Sequence, residues 1–125
     1  MDALYNALKE IGTEAECKVK EELSGSSGPI KLLFYNLITP LVLNFETERE
    51  RYHFIFQKGG AVSVCQELHN NPDVIVSGAH AELLYLLLNR DKERFKIAEQ
   101  TRKVTINTPT FKGRQTVTKL RELFL

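Results

Sequence analysis

The chain has no tryptophan and only two cysteines, Cys17 and Cys65, which stand far apart in its 125 residues. Neither belongs to a Cys-x-x-Cys pair or to a cysteine–histidine cluster, so the sequence contains no redox motif and no zinc-ribbon motif. Two isolated thiols are typical of a protein kept in a reducing compartment, and we expect both to be reduced. Their positions alone leave a disulfide between them open.

Long apolar runs are also missing, since none approaches the ~18 residues that a membrane span requires. The first residues, Met1-Asp2-Ala3-Leu4-Tyr5, lack the basic start and apolar stretch of a secretory signal. Hydrophobic residues make up 42% and charged residues 26% of the chain, which is ordinary for a globular protein. We therefore expect a cytoplasmic protein with a single domain over residues 1–125.

No sign of charge dominates, because the formal net charge is +1, but the charges are unevenly distributed. Residues 1–88 hold seven basic and twelve acidic residues, whereas residues 89–125 hold ten basic and four acidic residues. Either the acidic first helix lies beside the basic last segment, or that segment meets an anionic partner such as a membrane surface. Aromatic and basic residues do not interleave as in single-strand binders, so no nucleic-acid partner is expected.

Residues suited to catalysis are few, and His53, His69 and His80 are the three histidines. The segment His80-Ala81-Glu82 does not place two metal ligands on one helical face, so no zinc site is expected. A Cys65 nucleophile with His69 or His80 as its base would depend on tertiary proximity. Ser77-Gly78 is not a Gly-x-Ser-x-Gly elbow. The sequence predicts neither an enzyme nor a bound cofactor.

Helical spacing of apolar residues marks the first third of the chain. It predicts a helix over residues 2–11, an interruption at Gly12 and Thr13, and a charged helix over residues 14–23. A Ser/Gly loop over residues 24–28 follows, which lacks the Walker pattern of a phosphate loop but leaves phosphate binding open. Ile30–Ile38 then forms a short apolar helix that Pro40 ends.

Alternating apolar residues predict strands around residues 41–45, 52–56 and 62–64. Gly59-Gly60 predicts a two-residue hairpin, because both glycines accept a positive φ. A fourth strand over residues 73–77 would complete an antiparallel meander, and Lys103–Asn107 would join as a fifth strand after a helical crossover. The predicted fold class is α+β, a largely antiparallel five-stranded sheet covered by helices.

The second half of the chain has a recognisable order: a strand, a very apolar helix, a second strand and an amphipathic last helix. The segments are Pro72-Asp73-Val74-Ile75-Val76-Ser77-Gly78, then Ala81–Leu88, Lys103–Asn107 and Val117–Phe124. This order resembles the closing half of the sterol carrier protein type 2 lipid-binding domain. The chain departs from that family around the second strand, which is entered through Gln100-Thr101-Arg102 without the usual glycine and is left through a longer segment, Asn107–Gly113.

The resemblance implies a sterol-carrier-protein-like fold with a hydrophobic cavity between sheet and helices that holds a lipid or fatty acyl compound. The expected ligand contacts in the matching helices are Leu84, Leu87, Leu88, Val117, Leu120 and Phe124, and apolar periodicity alone adds Phe34, Phe54 and Phe56. Plain core packing is the alternative for each of them. The alternative function is a non-catalytic interaction or structural module of the same fold with a filled core, self-associating through Ile30–Ile38. The oligomeric state stays open.

An empty cavity would be costly. An apolar void costs about 24 cal/mol per Å³, so a ligand-sized cavity of roughly 300 Å³ would cost about 7 kcal/mol. The whole stability of a typical domain is about 5–15 kcal/mol. A cavity of that size is therefore expected to be occupied, or to collapse in part when it is empty.

Overall fold

A computed structural model describes residues 2–25 and 28–125, excluding the side chains at positions 29, 30, 32 and 34. Its elements follow the order α1 (Ala3–Ser24), α2 (Gly28–Ile38), β1 (Leu41–Glu46), β2 (Arg51–Phe56), a 3-10 turn (Lys58–Gly60), β3 (Val62–Gln66), β4 (Val74–Gly78), α3 (His80–Asn89), α4 (Lys92–Gln100), β5 (Val104–Asn107) and α5 (Phe111–Phe124). Every strand predicted from alternation is present, and the last helix begins at Phe111.

The sheet has five strands in the order β3-β2-β1-β4-β5. Three of its four strand pairs are antiparallel, and β1 and β4 pair in parallel. The predicted α+β class and largely antiparallel sheet are confirmed, but the four-strand meander is wrong. Residues 67–73 return the chain across the sheet, where Asn44 and His69 exchange two hydrogen bonds of 2.9 and 3.0 Å. This return brings β4 beside β1 instead of β3.

One face of the sheet, called the inner face below, carries the core and is covered by helices. Leu43 and Phe45 of β1 are 2% exposed, and Phe54 of β2 is fully buried. Val42 and Asn44 of β1 point to the opposite face and are buried too, because the returning segment covers them. The central strand is therefore buried on both sides.

Helix α1 runs without a break, so the predicted interruption at Gly12 and Thr13 is wrong. The Thr13 hydroxyl donates to the Lys9 carbonyl, four residues back, at 3.1 Å and caps no new helix. A Cβ on Gly12 would lie 3.3 Å from Val62 Cγ1, closer than most side-chain contacts. Gly12 therefore permits the close approach of α1 to β3.

The Gly59-Gly60 turn is also longer than predicted. Both glycines have the expected positive φ, 87° and 98°. However, β2 ends at Phe56 and β3 begins at Val62, and the loop between them contains the 3-10 turn. The glycines therefore serve a five-residue loop and not a two-residue hairpin.

The unequal charge distribution is in part an intramolecular pairing. Arg90, directly after α3, forms an ion pair of 2.8 Å with Glu14 of α1. This contact joins the acidic first helix to the beginning of the basic segment. Both cysteines are unpaired; Cys17 is exposed and Cys65 is half-buried.

A buried polar cluster connects α1, the β1–β2 turn and α3. The Glu50 carboxylate accepts hydrogen bonds from the Tyr52 hydroxyl at 2.7 Å and from the Leu4 N–H at 3.4 Å. The His80 Nε2 lies 3.4 Å from the same carboxylate, and its Nδ1 lies 3.2 Å from the Thr47 hydroxyl. Glu50 and His80 are only 9% and 8% exposed, so these contacts replace water for each partner.

Alkaline pH should weaken the fold through Tyr35 of α2. Burial raises the pKa of Tyr35 to about 12, and the nearby Glu16 carboxylate adds to the effect. An unfolded tyrosine titrates near pH 10, so between about pH 10 and 12 the unfolded chain loses this proton while the native chain keeps it. Stability is therefore fully present below about pH 10 and falls as the pH rises toward 12.

Tyr35→Phe should reduce the loss of folding stability as the pH rises above about 10. Urea unfolding of both proteins, measured from pH 8 to 11.5, tests this. At neutral pH the change should be close to neutral, since the Tyr35 hydroxyl is buried without a hydrogen-bond partner in the described part of the chain. An unchanged slope in the variant would contradict the assignment to Tyr35.

Candidate functional site

An apolar pocket of about 40 Å³ lies between the inner face of the sheet and helices α3, α4 and α5. Side chains from three strands and all three helices line it: Leu43, Phe45, Val74, Val76, Leu83, Leu87, Phe95, Ile106, Val117, Leu120, Arg121, Phe124 and Leu125. Apart from Arg121, every described lining residue is apolar. The pocket is therefore suited to hydrocarbon and offers little to a polar ligand.

Four of the nine expected contact residues meet at this pocket: Leu87, Val117, Leu120 and Phe124. Leu87, Leu120 and Phe124 are 5–6% exposed, and Val117 is half-buried. They come from α3 and α5, so the tertiary structure brings together the two helices that carried the family resemblance. Their role as ligand contacts stays a prediction.

Two expected phenylalanines lie behind the pocket wall. Phe54 is fully buried, and its ring centroid lies 5.0 Å from that of Phe124, edge to face. Phe56 is 3% exposed and packs on Phe54 at 5.1 Å. Neither lines the pocket, so in this conformation both are core residues that support Phe124.

The remaining three expected residues lie elsewhere. Leu84 is half-buried outside the lining. Leu88 is 57% exposed and borders a surface cleft between α1 and α3. Phe34 belongs to α2, and its side chain lies outside the described residues. Helical periodicity within α3 could not separate Leu84 and Leu88 from Leu87, because the whole helix is rich in leucine.

Sequence reasoning did not select the strand residues of the pocket. Leu43 and Phe45 of β1, Val74 and Val76 of β4 and Ile106 of β5 line it. The alternation that predicted β1 also marked Leu43 and Phe45 as one face of that strand. What the sequence did not show was that β4 adjoins β1, which places the two apolar rows side by side.

The beginning of α5 is fixed to the sheet by Asp73, which was predicted only as the first residue of the fourth strand. One carboxylate oxygen of Asp73 accepts from the Val42 N–H at 3.0 Å, and the other accepts from the Thr110 hydroxyl at 2.7 Å. Thr110 also caps α5 by accepting from the Gly113 N–H at 3.1 Å. A Cβ on Gly113 would lie 1.9 Å from the Asp73 carbonyl oxygen, so only glycine permits this contact.

The other end of α5 is held by the core packing of Phe124, by Arg121, and by Arg90, whose Nη1 donates to the Leu123 carbonyl at 3.5 Å. Arg121 forms a bidentate ion pair with Glu99 of α4, with 3.0 Å between Arg121 Nη2 and Glu99 Oε2. This hydrogen bonding raises the pKa of Arg121, so the guanidinium stays charged. Phe95, Arg121 and Leu125 also border an open cleft of about 310 Å³ between α4 and α5. The Arg121–Glu99 pair therefore lies where the pocket meets the surface.

Among the described residues, Cys65 and the histidines do not form a nucleophile–base pair. The cross-strand neighbour of Cys65 is His53, and the hydrogen bonds of the described residues include none between Cys65 and any histidine. Across residues 2–25 and 28–125, no three His, Cys, Asp or Glu side chains are grouped as metal ligands. None of the described helices has the length and apolar character needed to cross a bilayer.

A scan of protein-family models and a search of curated proteins each found no match. Solved structures do match over most of the chain. A "UbiJ-SCP2 Ubiquinone synthesis protein" aligns with a TM-score of 0.53 and 17% identity, covering 92% of this chain and 93% of the other. Sterol Carrier Protein 2 Like 2 from Aedes aegypti aligns with a TM-score of 0.51 and 18% identity, covering 95% and 97%.

The sterol carrier protein domain 2 of Helicoverpa armigera aligns with a TM-score of 0.52 and 13% identity, covering 91% of this chain and 84% of that one. The structural neighbours of this chain are thus sterol carrier protein 2 domains. The resemblance seen in residues 72–125 is confirmed as a likeness of fold.

Proposed function

Starting from the sterol carrier protein 2 fold, we propose that this domain binds an apolar small molecule, a lipid or fatty acyl compound, beneath α5. The pocket between sheet and helices carries the proposal, because nearly all of its lining is hydrocarbon. Binding would be driven by desolvation, at about 25 cal/mol per Å² of apolar surface removed from water. No reacting side chain is needed.

The pocket must enlarge to hold a whole acyl chain. Its volume is about 40 Å³, while small-molecule sites begin near 300 Å³. Because an empty cavity of that size would cost about 7 kcal/mol, a binding site of this kind should close in part when nothing fills it. The small volume therefore agrees with a site that opens as its ligand enters.

Helix α5 is the element suited to open. It adds no strand to the sheet, so its displacement leaves every strand pair intact. Asp73, Thr110 and Gly113 hold its first turn, whereas its last turns are held by Arg121, Phe124 and apolar contacts. A swing about the first turn would part α5 from α4 and join the pocket to the cleft between them.

A second candidate is the interaction or structural module with a filled core. The pocket volume of about 40 Å³ favours it, since a core with so little free space is complete without a ligand. The two candidates differ in one observable, the saturable uptake of an acyl compound.

Val117→Phe should weaken acyl binding at least tenfold. Val117 is half-buried and lines the pocket, so a phenyl ring there occupies the space that a ligand would use. The measurement is a fluorescent fatty-acid titration of purified, delipidated protein. Gln115→Phe is the matched control, because it adds the same ring to the exposed side of α5.

Wild-type protein should bind saturably, and bound ligand should raise its Tm. Mass spectrometry of an organic extract of protein purified without delipidation should detect lipid. Absence of both lipid and saturable binding would support the filled-core module. Equal loss in both variants, or loss in neither, would place the site elsewhere than under Val117.

A further inference from the structure

Three large apolar side chains are exposed on α2 and at the start of α5. Leu33 and Leu37 of α2 are 65% and 72% exposed, and Phe111 at the start of α5 is 72% exposed. Leu33 and Leu37 are four residues apart and so lie on the same side of their helix. Exposed leucines and phenylalanines in one region commonly mark an interaction surface.

Two lysine contacts show that these side chains belong to one edge of the molecule. Lys112, next to Phe111, donates from Nζ to the Pro40 carbonyl at 2.7 Å and thus joins the start of α5 to the segment after α2. The Nζ of Lys58 donates to the Asn36 carbonyl at 2.7 Å. This hydrogen bond places the Lys58 side chain against the end of α2 that carries Leu37. We call the surface formed by Leu33, Leu37, Phe111, Lys58, Lys112 and Arg114 the α2–α5 edge.

The charge of this edge is of one sign. Residues 28–38 and 111–121 contain no aspartate or glutamate. Lys58 and Arg114 are exposed, and the ion pairs found among the described residues include neither of them. Lys112 lies 3.6 Å from the Asp73 carboxylate, but Asp73 is 3% exposed and presents no charge to a partner.

We propose that the α2–α5 edge docks on an anionic lipid bilayer, with the cations at the headgroups and Leu33, Leu37 and Phe111 inserted between them. Cations around exposed apolar side chains are the combination that peripheral membrane proteins use. In a symmetric dimer formed through this surface, the α2–α5 edges of the two copies would face each other, and lysines would lie opposite lysines. Charge complementarity therefore favours an anionic surface over a second copy of the chain.

The edge lies at the first turn of α5, while the cleft between α4 and α5 lies at its last turns. Docking is therefore independent of the acyl site. Vesicle binding is measured without added fatty acid, and the acyl titration is performed without vesicles. A negative result in one of these two experiments therefore does not affect the interpretation of the other.

The test is co-sedimentation with vesicles of phosphatidylcholine containing 30% phosphatidylserine, compared with pure phosphatidylcholine. Wild-type protein should bind the anionic vesicles at least tenfold more tightly, and 0.5 M salt should remove most of this difference because exposed charges are screened. The double variant Leu37→Glu, Phe111→Glu should lose at least tenfold in affinity. The control Ile97→Glu alters another exposed side chain, 58% accessible on α4, and should retain binding.

A second pair of variants separates position from total charge. Lys58→Gln with Arg114→Gln should weaken vesicle binding severalfold, whereas Lys18→Gln with Lys103→Gln removes the same charge elsewhere and should have little effect. Equal loss in both pairs would overturn the proposal, as would equal binding to neutral vesicles. A dimer in analytical ultracentrifugation that Leu37→Glu dissociates would also overturn it and assign the edge to self-association.

Discussion

Phe124→Ala should lower the free energy of unfolding by about 3–5 kcal/mol, as expected for truncation of a buried phenylalanine. Phe124 is 6% exposed, and its ring centroid lies 5.5 Å from that of Phe45 and 5.0 Å from that of Phe54. Its loss removes both aromatic contacts and leaves space beneath α5. Urea or thermal unfolding monitored by circular dichroism measures the effect.

Phe111→Ala is the matched control, since it truncates a phenylalanine of the same helix that is 72% exposed. Its effect should stay within about 0.5 kcal/mol. If the two variants lost equal stability, α5 would not be docked through Phe124 as described. Under the proposed function, saturating fatty acid should restore part of the stability that Phe124→Ala loses, because the ligand would fill the enlarged pocket.

Glu50→Ala should cost a similar amount, about 3–5 kcal/mol, because it removes the shared acceptor of a buried polar cluster and each buried group left without a partner costs about 1–3 kcal/mol. The Tyr52 hydroxyl, the Leu4 N–H and the His80 imidazole would each lose their contact with this carboxylate. These groups come from α1, β2 and α3, so the variant should loosen two helices against the sheet. Chemical denaturation at pH 7 measures the loss, and hydrogen exchange should show faster exchange at the starts of α1 and α3.

Glu46→Ala provides the comparison for Glu50→Ala. Glu46 is on the same β1–β2 hairpin but is half-buried, and its 3.2 Å ion pair with Arg51 is largely exposed. Such a pair contributes about 0–1 kcal/mol, so its loss should be small. A Glu50→Ala variant as stable as Glu46→Ala would contradict the buried network.

Local patterns fixed the elements of this protein. Alternation of apolar residues gave β1, β2 and β3, because side chains at every second position of a strand point to the same face of the sheet. Helical spacing marked the segments that form α1 and α2 for the corresponding reason. Both patterns act over a few residues, so they can be read from the chain alone.

Local signals failed where the partner was distant in sequence. Gly12 was expected to interrupt α1, but the glycine serves the approach of the helix to Val62, fifty residues away. Asp73 was predicted only as the first residue of the fourth strand, but its carboxylate joins Val42 and Thr110. Neither function leaves a local trace, since glycine and aspartate are also the common residues of turns.

The candidate pocket also combines features that local sequence patterns predict with features that depend on contacts between distant residues. The sequence by itself determined that α3 and α5 are rich in apolar residues, and the family resemblance of these two segments added the expectation that Leu87, Val117, Leu120 and Phe124 contact a ligand. Only the tertiary structure decided that Leu84 and Leu88 lie outside the pocket lining and that side chains of the strands complete this lining. The physical reason is the parallel pairing of β1 with β4, a long-range contact between residues about thirty positions apart, which sets the apolar rows of both strands under the same helices.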